Sequence, residues 1–448
     1  MLKGLKKRHV YVRTFGCQMN VHDSEQMIAL LGENGYAQTE DPRRADVILL
    51  NTCSIREKAD QKAFSQLGRY ASFKRGKPGL ILGVTGCVSQ QMGPRIFDRI
   101  PEVDLVVGTH NIDQLPVLIG QLEEKKGRIA ETAFRDCVAS IGVRAQPKKG
   151  SVGAFVTIMQ GCDNYCAYCV VPYVRGRERS RGLDDIVGEI RFLAESGVKE
   201  VTLLGQNVNS YGRTIGNGAS FPALIRAVAA VDGIKRIRFT TSHPKDLSDG
   251  LIGCFGTVEK LCAHIHLPVQ AGSDPVLERM NRGYTATDYR EKVRRLRETR
   301  PDIAVTSDMI VGFPGETEED FRKTLELMEA VKFDGLFSFR YSEREETAAV
   351  SLPGKVEEGV KRERLHRLQK LQDAHTAERN RRLRGKRVEV LVEGLSRNSR
   401  QDMTGRTSCN RIVNFPGGNS LVGRTVTVGI RETYLHSLRG ELEGGGIA

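Results

Sequence analysis

The hydrophobic positions open as four unbroken runs. HVYVRTF (9–15), ADVILLN (45–51), GLILGVT (79–85) and VDLVVG (103–108) carry few polar interruptions. Short runs that are apolar on both faces and alternate with helical patterns predict parallel strands in a doubly wound sheet. One intervening helix is expected over 23–34, with Asp23 and Ser24 as its start and Gly35 as its stop. The runs end at Gly16-Cys17, Thr52-Cys53, Gly86-Cys87 and Thr109-His110. Residues 126–150 break the pattern, and AQPKKGSVG (145–153) reads as a linker.

A second series follows. Strand patterns recur at AFVTIMQ (154–160), EVTLLGQ (200–206), RIRFTTS (236–242), AHIHLPV (263–269), AVTSDMIVGF (304–313) and GLFSFRY (335–341). Helical patterns lie between them, at 183–196, 286–299 and 317–331 among others, while 254–262 fits either a loop or a helix end. Six βα units predict an open or partial (β/α)6 barrel. Residues 357–387 read as a charged amphipathic helix with Leu365, Leu368 and Leu371 near one side. Beyond 387, short alternating segments with glycine turns predict a small β-barrel. The fold class is therefore α/β with an all-β tail, divided at 8–124, 148–378 and 381–444.

Composition adds a partner class. The 448 residues are 39% hydrophobic and 27% charged, which excludes collagen, disordered and membrane-bundle proteins. The formal charge is +13, and residues 361–448 hold 18 Lys/Arg against 9 Asp/Glu. A basic tail after an α/β body suggests nucleic acid. Tryptophan is absent and aromatics are 6%, so a stack of aromatic base platforms is not expected. No apolar core follows the basic N-terminus, and no run of eighteen apolar residues occurs, so no signal peptide or membrane span is expected. The expected compartment is the cytoplasm, where thiols stay reduced and clustered cysteines point to metals or catalysis.

Two constellations stand out among the ten cysteines. QGCDNYCAYC sets Cys162, Cys166 and Cys169 in a C-x3-C-x2-C loop just after a strand. Three thiolates can hold three irons of a 4Fe-4S cluster and leave one iron open to a chelating ligand. The alternatives are zinc, which normally takes four ligands when structural, or unrelated buried thiols. Cys17, Cys53 and Cys87 each follow a strand of the first sheet, where ligands of open parallel sheets gather. Each alone fits a small buried hydrophobe, but three in one topological position suggest a second three-cysteine cluster. Cys137, Cys254, Cys262 and Cys409 lack such placement and read as packing residues or free thiols.

The C-x3-C-x2-C loop with Tyr168 before its third cysteine resembles the radical S-adenosylmethionine enzymes. GCQMN (16–20), NTCSIREKA (51–59), TGC (85–87) and GCDNYCAYCVVPYVRGRERSR (161–181) are similar to the methylthiotransferases of that superfamily. So are LLGQNVNSYG (203–212), RIRFTTSHP (236–244), HLPVQAGSDPVLERMNRGYT (266–285), DMIVGFPGET (308–317) and YSEREETAA (341–349). Ala271 departs from the serine expected there.

The resemblance implies two 4Fe-4S clusters, on Cys162, Cys166 and Cys169 and on Cys17, Cys53 and Cys87. It implies two uses of S-adenosyl-L-methionine, as methyl donor and as source of a 5′-deoxyadenosyl radical. VVPYVRGRERSR and TSHPKD resemble the branch that methylthiolates C2 of N6-isopentenyladenosine at tRNA position 37. The implied partners are a tRNA anticodon stem-loop, an electron donor protein and a sulfur source, and the tail resembles the RNA-binding TRAM module. Relatives act on threonylcarbamoyladenosine in tRNA or on an aspartate of a ribosomal protein. A non-catalytic iron–sulfur RNA-binding protein is a reading of another class.

Further polar residues stand at strand ends. Tyr168, Gln206, Asn207, His266 and Gln270 are candidate cofactor contacts, with loop-tying or core roles as the plainer reading. Asp308 and Glu316 flank the fifth strand, Glu316 beside a helix-start signal. Arg175, Arg177, Arg179 and Arg181 read as a solvated face or a holder of phosphate or carboxylate.

Overall fold

The computed structural model describes residues 8–54, 57–135, 145–216, 218–397, 399 and 401–447. Cys137 lies outside them. The chain divides into two compact units: residues to 146 with 159–163 and 170–181, and 147–158 with 164–169 and 182–448.

The first unit holds six strands: β1 (Arg8–Thr14), β2 (Tyr36–Gln38), β3 (Val47–Thr52), β4 (Ile81–Gly86), β5 (Leu105–Val107) and β6 (Ile129–Glu131). They pair in parallel in the order β2-β1-β3-β4-β5-β6. The helices are α1 (Gln18–Glu33), α2 (Glu57–Ala71), α3 (Cys87–Met92), α4 (Arg95–Arg99) and α5 (Leu115–Glu124). Strand β3 explains the unbroken apolar runs. Val47 and Leu49 enter one core and Ile48 and Leu50 another, because alternate side chains face opposite sides of a sheet. Strands β2 and β6 were not anticipated, and β6 falls inside the stretch read as a break.

Helix α1 begins five residues before Asp23, after Cys17 in extended conformation. Local start signals failed here because tertiary contacts absorb them. Asn51 Nδ2 donates to Ser24 Oγ (3.0 Å), and Asp23 serves a buried ion pair described below.

Strand β7 (Gly153–Thr157) opens the second unit. A short ribbon, β8 (Met159–Gln160) with β9 (Arg179–Ser180), and helix α6 (Val171–Arg175) belong to the first. The second unit continues with β10 (Glu200–Leu204), β11 (Arg236–Phe239), β12 (His264–His266), β13 (Ala304–Val311) and β14 (Gly335–Arg340). The six expected strands are all present, as two parallel three-stranded sheets, β11-β10-β7 and β12-β13-β14. A single parallel bridge, Ile237 to Leu261, links β11 to the approach of β12.

The accompanying helices are α7 (Leu183–Glu195), α8 (Phe221–Ala229), α9 (Asp249–Thr257), α10 (Asp274–Arg279), α11 (Ala286–Thr299), α12 (Glu318–Val331) and α13 (Glu358–Arg381). Thr317 and Asp320 form a reciprocal capping box on α12. Glu316 does other work: it accepts from Gly312 N and pairs with Arg364 at 2.8 Å.

Helix α13 buries Lys361, Arg364, Leu368, Gln372 and His375. Its inward stripe is therefore mostly polar, and of the three expected leucines only Leu368 is buried. The long stems pack while their heads bond: Gln372 Nε2 donates to Phe333 O (3.0 Å) and His375 pairs with Glu329 (3.1 Å).

The tail closes into a barrel of β15 (Arg387–Leu395), β16 (Asp402–Thr407), β17 (Ile412–Pro416), β18 (Thr425–Thr433) and β19 (Leu438–Ile447). It is bound to the N-terminal strand ends of the same unit. Arg238 donates to Thr407 O (2.8 Å) and Ser408 O (3.1 Å), Ser408 Oγ accepts from Ala263 N (2.8 Å), and Arg411 pairs with Asp334 (2.6 Å).

Candidate active site

Cys17 caps α1, Cys53 follows β3 and Cys87 opens α3, so all three stand at the carboxyl ends of strands in the first unit. The local backbone admits little bulk. A Cβ on Gly16, at φ +115°, would lie 2.2 Å from Cys53 Cβ and 2.8 Å from its sulfur. A Cβ on Gly86, at φ +90°, would lie 2.4 Å from Asn51 Oδ1 and Thr52 O. Asn20 braces the site, donating to Phe15 O (3.0 Å) and Thr52 O (2.8 Å) and accepting from Cys17 Sγ (3.5 Å).

A hydrogen bond from Cys53, with help from the charge of Arg175, brings the Cys17 thiol down to about 6 against the effect of burial. Burial pushes the Cys87 thiol up, and Arg175 opposes it. The thiolate is the metal-binding form, so the Cys17 environment suits a ligand. Ser54 Oγ and Ser89 Oγ are buried nearby in sequence without hydrogen-bond partners. Among the described residues, no three Cys, His, Asp or Glu side chains converge on a point where one metal ion could sit. An iron–sulfur cube takes one thiolate per iron, at separate corners.

Arg175 is 3% exposed, the opposite of a solvated face. It donates to Asp23 Oδ2 (2.7 Å) and Asn20 Oδ1 (3.1 Å), and its own carbonyl accepts from His110 Nε2 (2.9 Å). Val170 and Val174 pack on Cys87. Arg177 is exposed and pairs with Asp163 (3.2 Å).

The C-x3-C-x2-C loop spans the division of the chain, with Cys162 in the first unit and Cys166 and Cys169 in the second. A Cβ on Gly161, at φ +78°, would lie 2.0 Å from Arg177 O, which makes glycine obligatory before Cys162. In the second unit, Cys166 Sγ accepts from Arg282 Nη1 (3.2 Å) and faces His243 Nε2 (3.8 Å). Burial, aided by the charge of Arg282, pushes the His243 imidazole down to about 2. Its Nδ1 accepts from Lys245 N (3.2 Å), which leaves the proton on the nitrogen facing sulfur. Arg282 also donates to Tyr168 Oη (3.3 Å), Tyr284 Oη (2.9 Å) and Pro268 O (2.7 Å).

The other expected residues divide. Asn207 is 1% exposed; its Nδ2 donates to Asp246 Oδ2 (2.7 Å), as a loop tie would, yet its Oδ1 has no partner. Gln206 is partly buried. Gln270 follows β12 at φ +74° with Oε1 buried and unpartnered. His266 bonds Thr306 Oγ1 (3.0 Å) and Asp308 Oδ1 (3.3 Å). Sequence reasoning assigned no role to Asn20, His243, Asp246 or Arg282, and took Asp23 only for a helix start. Asn20, His243, Asp246 and Arg282 all lie within stretches that carried the family resemblance, which was the available signal.

Comparison with known proteins narrows the reading. Residues 9–108 match an uncharacterized protein family, UPF0004, residues 156–328 the Radical SAM superfamily, and residues 381–442 the TRAM domain. The chain is 58% identical to a tRNA-2-methylthio-N(6)-dimethylallyladenosine synthase of Syntrophus aciditrophicus, over 98% of this chain and 95% of that one. The chain belongs to this synthase family. Other tRNA-2-methylthio-N(6)-dimethylallyladenosine synthases are similar over its length, from Geobacter sulfurreducens at 53% (98% of each chain) and Acetivibrio thermocellus at 48% (98% and 91%). The fold of the synthase chain is also that of the radical S-adenosylmethionine methyltransferase TsrM from Kitasatospora setae, solved with cobalamin and a [4Fe-4S] cluster. That likeness has a TM-score of 0.56 at 15% identity and covers 77% of this chain and 74% of the other.

Proposed function

We propose that this enzyme adds a methylthio group to C2 of N6-isopentenyladenosine, the dimethylallyl nucleoside, at tRNA position 37. The observation that carries this reading is near-full-length identity to the tRNA synthases of that name. When bound, two 4Fe-4S clusters and S-adenosyl-L-methionine would supply the methyl group and the hydrogen-abstracting radical.

The chain's own residues hold and orient these groups. Cys162, Cys166 and Cys169 would hold the cluster that takes S-adenosyl-L-methionine, and Cys17, Cys53 and Cys87 would hold the second. Arg282 and the neutral His243 donate toward the Cys166 sulfur, which stabilises it as an anion. Tyr168, Gln206, Asn207, His266 and Gln270 are the candidate cofactor contacts; the unpartnered oxygens of Asn207 and Gln270 are acceptors for an ammonium or hydroxyl. Residues 8–124 form the second-cluster domain, 148–378 the radical domain and 381–444 the RNA-binding domain. An electron donor protein and a sulfur source complete the reaction. Among the described residues, no helix is long and apolar enough to cross a membrane; the proposed compartment is the cytoplasm, where tRNA is modified.

Mass spectrometry of tRNA nucleosides from a deletion strain, with and without this chain, is the test. The expected result is 2-methylthio-N6-isopentenyladenosine only with the chain. Unchanged levels with loss of the threonylcarbamoyl analogue, or of a modified ribosomal aspartate, would move the assignment to those substrates. RNA binding without 5′-deoxyadenosine formation would leave a non-catalytic protein.

A further inference from the structure

The sheet β12-β13-β14 has two unlike faces. In a parallel ladder, residues in register share a face. Asp308 pairs with Phe337 and Ile310 with Phe339, while Thr306 pairs with His266. The alternate residue Ser338 bonds Gln369 of α13 (3.3 Å), so helices cover its side. The face of Phe337 points the other way. There Phe337 is 57% exposed and Phe339 38% exposed, although the interior of a β/α barrel is normally filled by apolar side chains.

The polar groups beside Phe337 are ordered. His266 meets the Phe337 ring edge to face, with centroids 6.1 Å apart at 77°. Thr306 Oγ1 and Asp308 Oδ1 engage its two nitrogens and fix the ring. An exposed aromatic next to a fixed imidazole and a part-exposed carboxylate is a mixed surface. It fits a ligand with an apolar arm, a flat ring and a hydrogen-bond donor.

Resting on the function proposed above, we infer that Phe337, with Asp308 beside it, is the specificity contact for the prenylated adenine. The dimethylallyl arm lies against Phe337, where apolar burial selects it. The one N6–H that a prenylated adenine keeps donates to the Asp308 carboxylate. One aromatic platform thus serves a single extruded base, with no need of an aromatic-rich chain.

Purified, cluster-loaded enzyme is assayed with two synthetic anticodon stem-loops, one carrying isopentenyladenosine and one plain adenosine. Wild type should prefer the prenylated RNA by KM. Phe337→Ala should cut that preference about tenfold, the effect of losing a large apolar contact in a pocket, and Phe337→Leu should restore part of it. Asp308→Asn should weaken binding of both RNAs with the prenyl preference kept. Circular dichroism and iron content of each variant separate misfolding from lost recognition. An unchanged preference in folded Phe337→Ala overturns the inference. So does a raised KM for S-adenosyl-L-methionine with the preference intact, which would assign the ring to the cofactor. A wild type indifferent to the prenyl group would refute the functional reading itself.

Discussion

Arg175 Nη2 lies 2.7 Å from Asp23 Oδ2 in the interior of the first unit. The pair joins the segment after the C-x3-C-x2-C loop to the helix that Cys17 caps. Asn20 Oδ1 is shared between Arg175 and the Cys17 sulfur, so charge pairing and thiol placement form one network.

Removing one partner leaves the other buried and uncompensated. Arg175→Ala should cost about 3–5 kcal/mol of stability, read by chemical denaturation. Asp23→Asn should cost less, because its amide still accepts from the guanidinium.

The cluster assignment has an analytical consequence. Replacing Cys17, Cys53 and Cys87 by Ala should remove about four irons per chain and keep S-adenosyl-L-methionine cleavage. Replacing Cys162, Cys166 and Cys169 should remove a similar amount and abolish cleavage. Iron and sulfide analysis with a 5′-deoxyadenosine assay checks both; cleavage surviving the second set would refute the assignment.

His264 offers a pH test. Burial, with the charge of Arg238, pushes its imidazole down to about 3, and its Nε2 bonds Thr306 Oγ1 at 3.1 Å. The folded chain keeps it neutral, whereas the unfolded chain protonates it below about 6.5. Stability therefore falls as pH drops through that value toward 3, by up to about 1.4 kcal/mol per pH unit. His264→Gln should flatten this slope in urea melts between pH 7 and 5.

The tail barrel depends on Arg238. It pairs with Glu200 at 2.9 Å while donating to the carbonyls of Thr407 and Ser408. Arg238→Ala should cost about 2–4 kcal/mol through unpaired buried groups. Faster proteolysis between α13 and β15 should accompany it.

Much of the architecture was legible because periodicity is local. The unbroken run of β3 reports two covered faces, and Thr317 with Asp320 announces the start of α12. Strand β2 has only three residues, and β6 is equally short and lies in a polar stretch, too little pattern to read. Helix α1 misled because Asp23 and Ser24 resemble caps when their partners are unknown. The polar stripe of α13 was misread for the same reason: hydrophobicity does not register a buried Arg364 whose partner, Glu316, is 48 residues away.

By itself, the sequence determined the cysteine spacings, the sequence of βα units and the basic tail, since each is written in neighbouring residues. The tertiary structure decided the rest. Only folding could show that Arg175 is buried on Asp23, that His243 and Arg282 face Cys166, and that Phe337 is exposed inside the sheet. Partner distance and solvent access are properties of space, and no window of sequence contains them.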